Sequence, residues 1–170
     1  MRLLLRFVAA IDGLNERIGR ALGWVTLGLA ALVAGDVVAR YVFRESAVAV
    51  AELETWLFAV IFLLGAGYTH LHEGHVRVDL VQSLLPKRWQ LWSDLVGVAV
   101  FLLPTCFLVV WTALPFVAAS WRVGESSSDP GGLPAYWLLK AAIPLGFGLL
   151  ALQGLSHAVK LARTLRRGEG

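Results

Sequence analysis

Four apolar runs, each close to or beyond the length needed to cross a lipid bilayer, limit this chain more than any other feature. A helix rises 1.5 Å per residue and needs about 20 residues to cross the hydrocarbon layer. The stretch ALGWVTLGLAALVAGDVVARYVF, residues 21–43, meets that length. TWLFAVIFLLGAGYTHL, ending at Leu71, is a shorter second span that starts from Glu52 if the helix enters early, giving 52–71. Residues 92–120 form a third span with Pro104 and Pro115 inside it, and residues 135–159 a fourth with Pro144, Gly146 and Gly148. In hydrocarbon every backbone polar group must be satisfied within the segment, so runs of this length and composition fold as helices. The expected fold class is an all-α membrane protein of four transmembrane helices in a single domain, residues 1–170.

Composition agrees. Hydrophobic residues make up 58% of the chain and charged ones 16%, where an ordinary soluble domain is roughly one quarter charged. Seven tryptophans, at 24, 56, 89, 92, 111, 121 and 137, suit a protein with two membrane interfaces, because indole rings favour the headgroup layer. The net charge of +3 does not point to nucleic acid, since the basic residues gather at the ends of the apolar runs. Arg2, Arg6, Arg17 and Arg20 precede the first span; Arg77, Lys87 and Arg88 follow the second; Lys160, Arg163, Arg166 and Arg167 follow the fourth. Arg44 and Arg122 are the basic residues outside the spans on the other side, with Arg40 and Lys140 inside helix ends. The positive-inside rule then places both termini in the cytoplasm.

Four segments outside the spans have character of their own. Leu4, Phe7, Ile11, Leu14 and Ile18 recur at helical spacing, so residues 1–20 are expected to form an amphipathic helix on the membrane surface or against a partner. No clean cleavage site follows the early arginines, and no removable signal peptide is expected. Within 72–91, DLVQSLLPKRWQ predicts a short interfacial helix on the cytoplasmic side, with Asp79 at its cap and Gln82 three residues on. Residues 121–134, rich in Gly, Ser and Pro, make a periplasmic loop, and 160–170 a cytoplasmic tail.

Polar residues inside spans are functional candidates. Asp36 and Arg40 are spaced to pair along one helix; the alternative partner for Arg40 is Glu52 or Glu54 at the start of the second span. His70, His72 and His75 do not share a helical face at metal-ligand spacing, and Cys106 lies in an apolar stretch. Neither a metal nor another cofactor is expected, and His70 and His72 read as residues at the membrane exit. Lys140 is expected to snorkel outward. The chain has no nucleophile elbow, zincin motif or phosphate-binding loop, so an enzyme is not expected. It also has no internal repeat of the kind from which many carriers are built.

The motifs combine into a resemblance. RYVF, Arg40 to Phe43, closes the first span; Glu52 stands thirteen residues before the Gly65-Ala66 pair; HVRVDL, His75 to Leu80, begins ten residues after that glycine. Gly124-Glu125-Ser126, Pro134, Trp137 and IPLG, Ile143 to Gly146, follow. This resembles the DctQ-like small permease subunits of tripartite ATP-independent periplasmic (TRAP) transporters over nearly the whole chain. Two positions depart from the family pattern: Val60 stands where a Trp is common, and Leu71 and His72 where a basic pair is.

The resemblance implies a subunit of the bacterial inner membrane that braces a larger permease subunit and does not itself carry the substrate. Organic acids would reach that large subunit from a periplasmic binding protein, and sodium coupling would belong to the large subunit. Arg40 and Glu52 would tie the outer ends of the first two spans together or touch the large subunit. His75, Arg77 and Asp79 would fix the cytoplasmic ledge, with Gly65 and Pro144 as further structural or interface positions. Two other readings compete: a haem-binding membrane cytochrome subunit using His70 or His75 with His157, and a small stand-alone channel or exporter.

Overall fold

The computed structural model describes residues 2–44, 47–72 and 86–167. Helix α1, Arg2–Val38, runs directly into a π-helical turn, Ala39–Phe43. Arg44 then closes it in the left-handed conformation, its N–H donating to the Ala39 carbonyl. Helix α2 spans Val48–Leu71. A third rod is built from α3, Lys87–Val96, a π-helical segment, Gly97–Leu102, and α4, Leu103–Val123. Helix α5 covers Trp137–Arg167. Four of these helical stretches, Leu4–Phe43, Val48–Leu71, Lys87–Val123 and Trp137–Arg166, are long and apolar enough to cross a membrane, and no strand occurs among the described residues.

The amphipathic segment is helical and continues into the first span without a break. Residues 2–38 form one rod of about 55 Å, because no proline or turn signal interrupts the backbone hydrogen bonds where the side chains change from mixed to apolar. The predicted stripe divides: Ile11 is buried together with Val8, Asn15 and Leu22, whereas Leu4, Phe7 and Leu14 are exposed. Lipid tails are as apolar as leucine, so apolarity alone does not select the face that packs.

Pro104 explains the π segment. A proline has no N–H to give the carbonyl four residues back, here Val100, and its ring crowds that carbonyl. A wider turn just before it relieves the conflict: the Leu103 N–H reaches the Val98 carbonyl, five residues back. The rod stops at Gly124, whose left-handed backbone sets up a double cap. Gly124 N–H donates to the Trp121 carbonyl at 3.1 Å and Glu125 N–H to the Ser120 carbonyl at 3.1 Å.

The helices lie in the spatial order α1, α2, α5, third rod, so α2 and α5 form the centre and α1 also reaches α5 at the end bearing both termini. The buried set is small and partly polar: Asn15, Asp36, Ser120, Gln153 and Ser156 are buried, while Trp24, Phe62, Phe101, Phe107, Trp111 and Leu145 are exposed. Short and polar side chains at helix crossings with bulky apolar ones outside is the arrangement expected in lipid.

Candidate functional site

At the end of the bundle away from the termini, one carboxylate holds the loop that joins the third rod to α5. Glu52, in the first turns of α2, accepts the Leu133 backbone N–H at 2.6 Å on Oε2. Its Oε1 accepts the Ser127 hydroxyl and, at 3.4 Å, that of Tyr136. The loop adopts this shape through its own bonds: Ser127 N–H to the Leu133 carbonyl at 3.0 Å and Tyr136 N–H to the Glu125 carbonyl at 2.9 Å. Trp56, one turn after Glu52, packs edge-on against the Tyr136 ring with centroids 5.2 Å apart. A cavity of about 290 Å³ lies beside the clasp, lined by Glu52, Thr55, Trp56, Asp129 and Tyr136.

A second ion pair reinforces the same loop. Lys140 on α5 bonds Glu125, and its ammonium sits 4.1 Å from the centre of the Phe116 ring. The Lys140 ammonium holds the Glu125 carboxyl below its ordinary value. Lys140 therefore does not simply extend to solvent as the sequence suggested; it is the cation of a built pair.

Arg40 and Glu52 are not brought together. Arg40 pairs with Asp36 one turn back on its own helix, and Glu52 is occupied by the loop. An i, i+4 partner on the same helix is available without any tertiary constraint, which favours it over a carboxylate on another helix. Gly65 is also not the tight crossing. A methyl group placed there would meet Leu22 at an ordinary 3.7 Å, whereas one at Gly67 would fall 2.2 Å from Asn15 Oδ1 and 3.4 Å from the Leu149 carbonyl carbon. Pro144 lies within α5, two residues before Gly146, where an added methyl would fall 2.4 Å from the Leu63 carbonyl oxygen of α2. The ledge residues His75, Arg77 and Asp79, and the capped helix expected around them, lie outside the described residues.

Sequence reasoning missed a polar latch near the termini. Asn15, fully buried on α1, donates through Nδ2 to Gln153 Oε1 at 2.8 Å and to the Ile11 carbonyl at 3.3 Å. Gln153 Nε2 donates to Asp12 Oδ1 at 2.9 Å, which also accepts the Ser156 hydroxyl at 2.8 Å, and Lys160 pairs with Asp12 Oδ2 at 2.6 Å. The available signal was a Gln in an otherwise apolar span, since such groups in membranes bond across helices. Beside the latch, Glu16 holds His72 at 2.8 Å and Arg20 at 3.5 Å, joining α1 to the end of α2.

His70 and His157 meet edge to face with ring centroids 5.2 Å apart. A haem would have to lie between its two axial histidines, and rings in mutual contact leave no space for the macrocycle. Among the described residues no three His, Cys, Asp or Glu side chains gather to hold a metal ion. The arrangement clamps helices and loop together.

Two comparisons bear on what such a bundle belongs to. No curated protein matches the chain. Residues 29–164, by contrast, match the family described as tripartite ATP-independent periplasmic transporters, DctQ component. That stretch takes in the last ten residues of α1 with the π-helical turn after it, α2, the third rod, the Glu52 clasp and nearly all of α5, so the chain belongs to the family of DctQ components of TRAP transporters.

Proposed function

We propose that the chain is the small integral-membrane subunit that braces a large ion-coupled TRAP permease subunit, for uptake of organic acids delivered by a periplasmic binding protein. The observation that carries this reading is the match of residues 29–164 to the DctQ component family; the small share of its apolar surface that the chain covers by itself leaves room for a partner. None of the most apolar window of α2, a central helix, is buried, and about one tenth of the corresponding windows of α1 and the third rod is. Polar groups favour a brace over a carrier: Glu52, Lys140, Asp36 and Asp12 each bond another group of the same chain. The coupling ion and the substrate then belong to the large subunit. The chain resides in the inner membrane with both termini in the cytoplasm, the side to which its basic loops assign them.

The test is co-purification with an affinity-tagged large subunit, together with organic acid uptake by cells carrying all three components. Removal of this chain should abolish uptake. Uptake that continues undiminished without it, or substrate transport by the chain alone in liposomes, would overturn the assignment.

A further inference from the structure

At the end of the bundle bearing the termini, the start of the third rod and the end of α5 enclose a groove of about 320 Å³. It is lined by Arg88, Trp92, Leu95, Ala162, Leu165 and Arg166. Arg88 and Trp92 also border a second recess of about 340 Å³ with Trp89. The two arginines come from different helices, both are exposed, and neither forms an ion pair or hydrogen bond among the described residues. This distinguishes them from Arg20, Arg40, Lys140 and Lys160, each of which has a carboxylate partner. Two guanidinium groups at the rim of one groove suit a phosphate, which they can hold through paired N–H donors.

The rest of the lining selects the kind of phosphate. Leu95, Ala162 and Leu165 make the rest of the lining apolar, and Trp92, half exposed, adds an indole, a ring that favours the headgroup level. A soluble anion would gain nothing from that apolar lining. We propose that this groove binds one anionic phospholipid. Arg88 and Arg166 face its phosphate, and Leu95, Ala162 and Leu165 face the first part of its acyl chains. Basic recesses between membrane helices are suited to such headgroups.

The test uses the full-length purified chain, titrated with equal amounts of dioleoylphosphatidylglycerol and dioleoylphosphatidylcholine, with bound lipid read by native mass spectrometry. The wild type should retain the anionic lipid in preference by on the order of tenfold, and Arg88→Gln/Arg166→Gln should remove that preference. Arg6→Gln/Arg17→Gln, which deletes two exposed charges elsewhere near the same end, should leave it intact. If the double groove variant does not fold, the single variants Arg88→Gln and Arg166→Gln take its place, each expected to lower the preference about threefold. Equal retention of both lipids by the wild type would overturn the proposal. So would an equal loss in the Arg6/Arg17 control, which would mean general surface charge and no groove.

Discussion

Asn15 of α1 lies directly on Gly67 of α2: a single added methyl at residue 67 would fall 2.2 Å from the asparagine oxygen. The amide is held there by Gln153 on α5, so one residue pair fixes the point where three helices meet. Gly67→Ala should therefore lower stability by about 1–3 kcal/mol, the cost of overpacking a closed contact. Gly65→Ala, whose added methyl would find only Leu22 at 3.7 Å, should change little. Thermal unfolding of the two variants in detergent, followed by size-exclusion chromatography, checks the contrast. Equal midpoints for both would show that Gly67 is not the crossing.

Breaking the latch from one side should cost more than removing it whole. Gln153→Leu leaves the buried Asn15 amide with only the longer bond to the Ile11 carbonyl and takes one donor from Asp12. A buried polar group without a partner costs about 1–3 kcal/mol. The double variant Asn15→Leu/Gln153→Leu removes both ends of the central bond and should be less destabilised than the sum of the single variants. A double-mutant cycle on thermal midpoints measures the coupling; strict additivity would refute it.

Glu52 should control how firmly the loop after the third rod is held. Glu52→Ala removes the acceptor for Ser127, Leu133 and Tyr136 together. Limited proteolysis between residues 124 and 134 should be fastest in Glu52→Ala, slowest in the wild type and intermediate in Glu52→Gln, which keeps an acceptor without the charge. The three cutting at one rate would separate Glu52 from the loop's order.

The Glu125 pair gives the same loop a dependence on acid. Because Lys140 holds the folded Glu125 carboxyl below its ordinary value, the folded state favours the ionised form. Its stabilisation is fully present above the unfolded value of about 4.3 and is lost as pH falls through the lowered folded value. Proteolytic protection of the loop should therefore decline below about pH 4 in the wild type. In Glu125→Gln that decline should be shallower, starting from weaker protection at neutral pH. Identical pH profiles for both proteins would remove the pair from the account.

Hydropathy and length were enough to establish that this is an all-helical membrane chain with four long apolar segments. Spacing among RYVF, Glu52, Gly65-Ala66 and HVRVDL was enough to suggest its family, because these depend on residue order alone. The amphipathic helix over residues 1–20 continues unbroken into the first span: apolar periodicity reports which side chains share a face, and a change of that pattern at residue 20 does not break the hydrogen bonds running through it. Which partner Arg40 takes, which glycine sits at the crossing, and what Glu52 holds were decided by the tertiary structure. In a protein surrounded by lipid, apolar side chains are at ease on either side of a helix, so hydrophobicity does not choose the packed face. That choice falls to a few short or polar residues, Asn15, Gly67 and Gln153 among them, whose 52- and 138-residue separations from Asn15 become contacts only once the helices are in place.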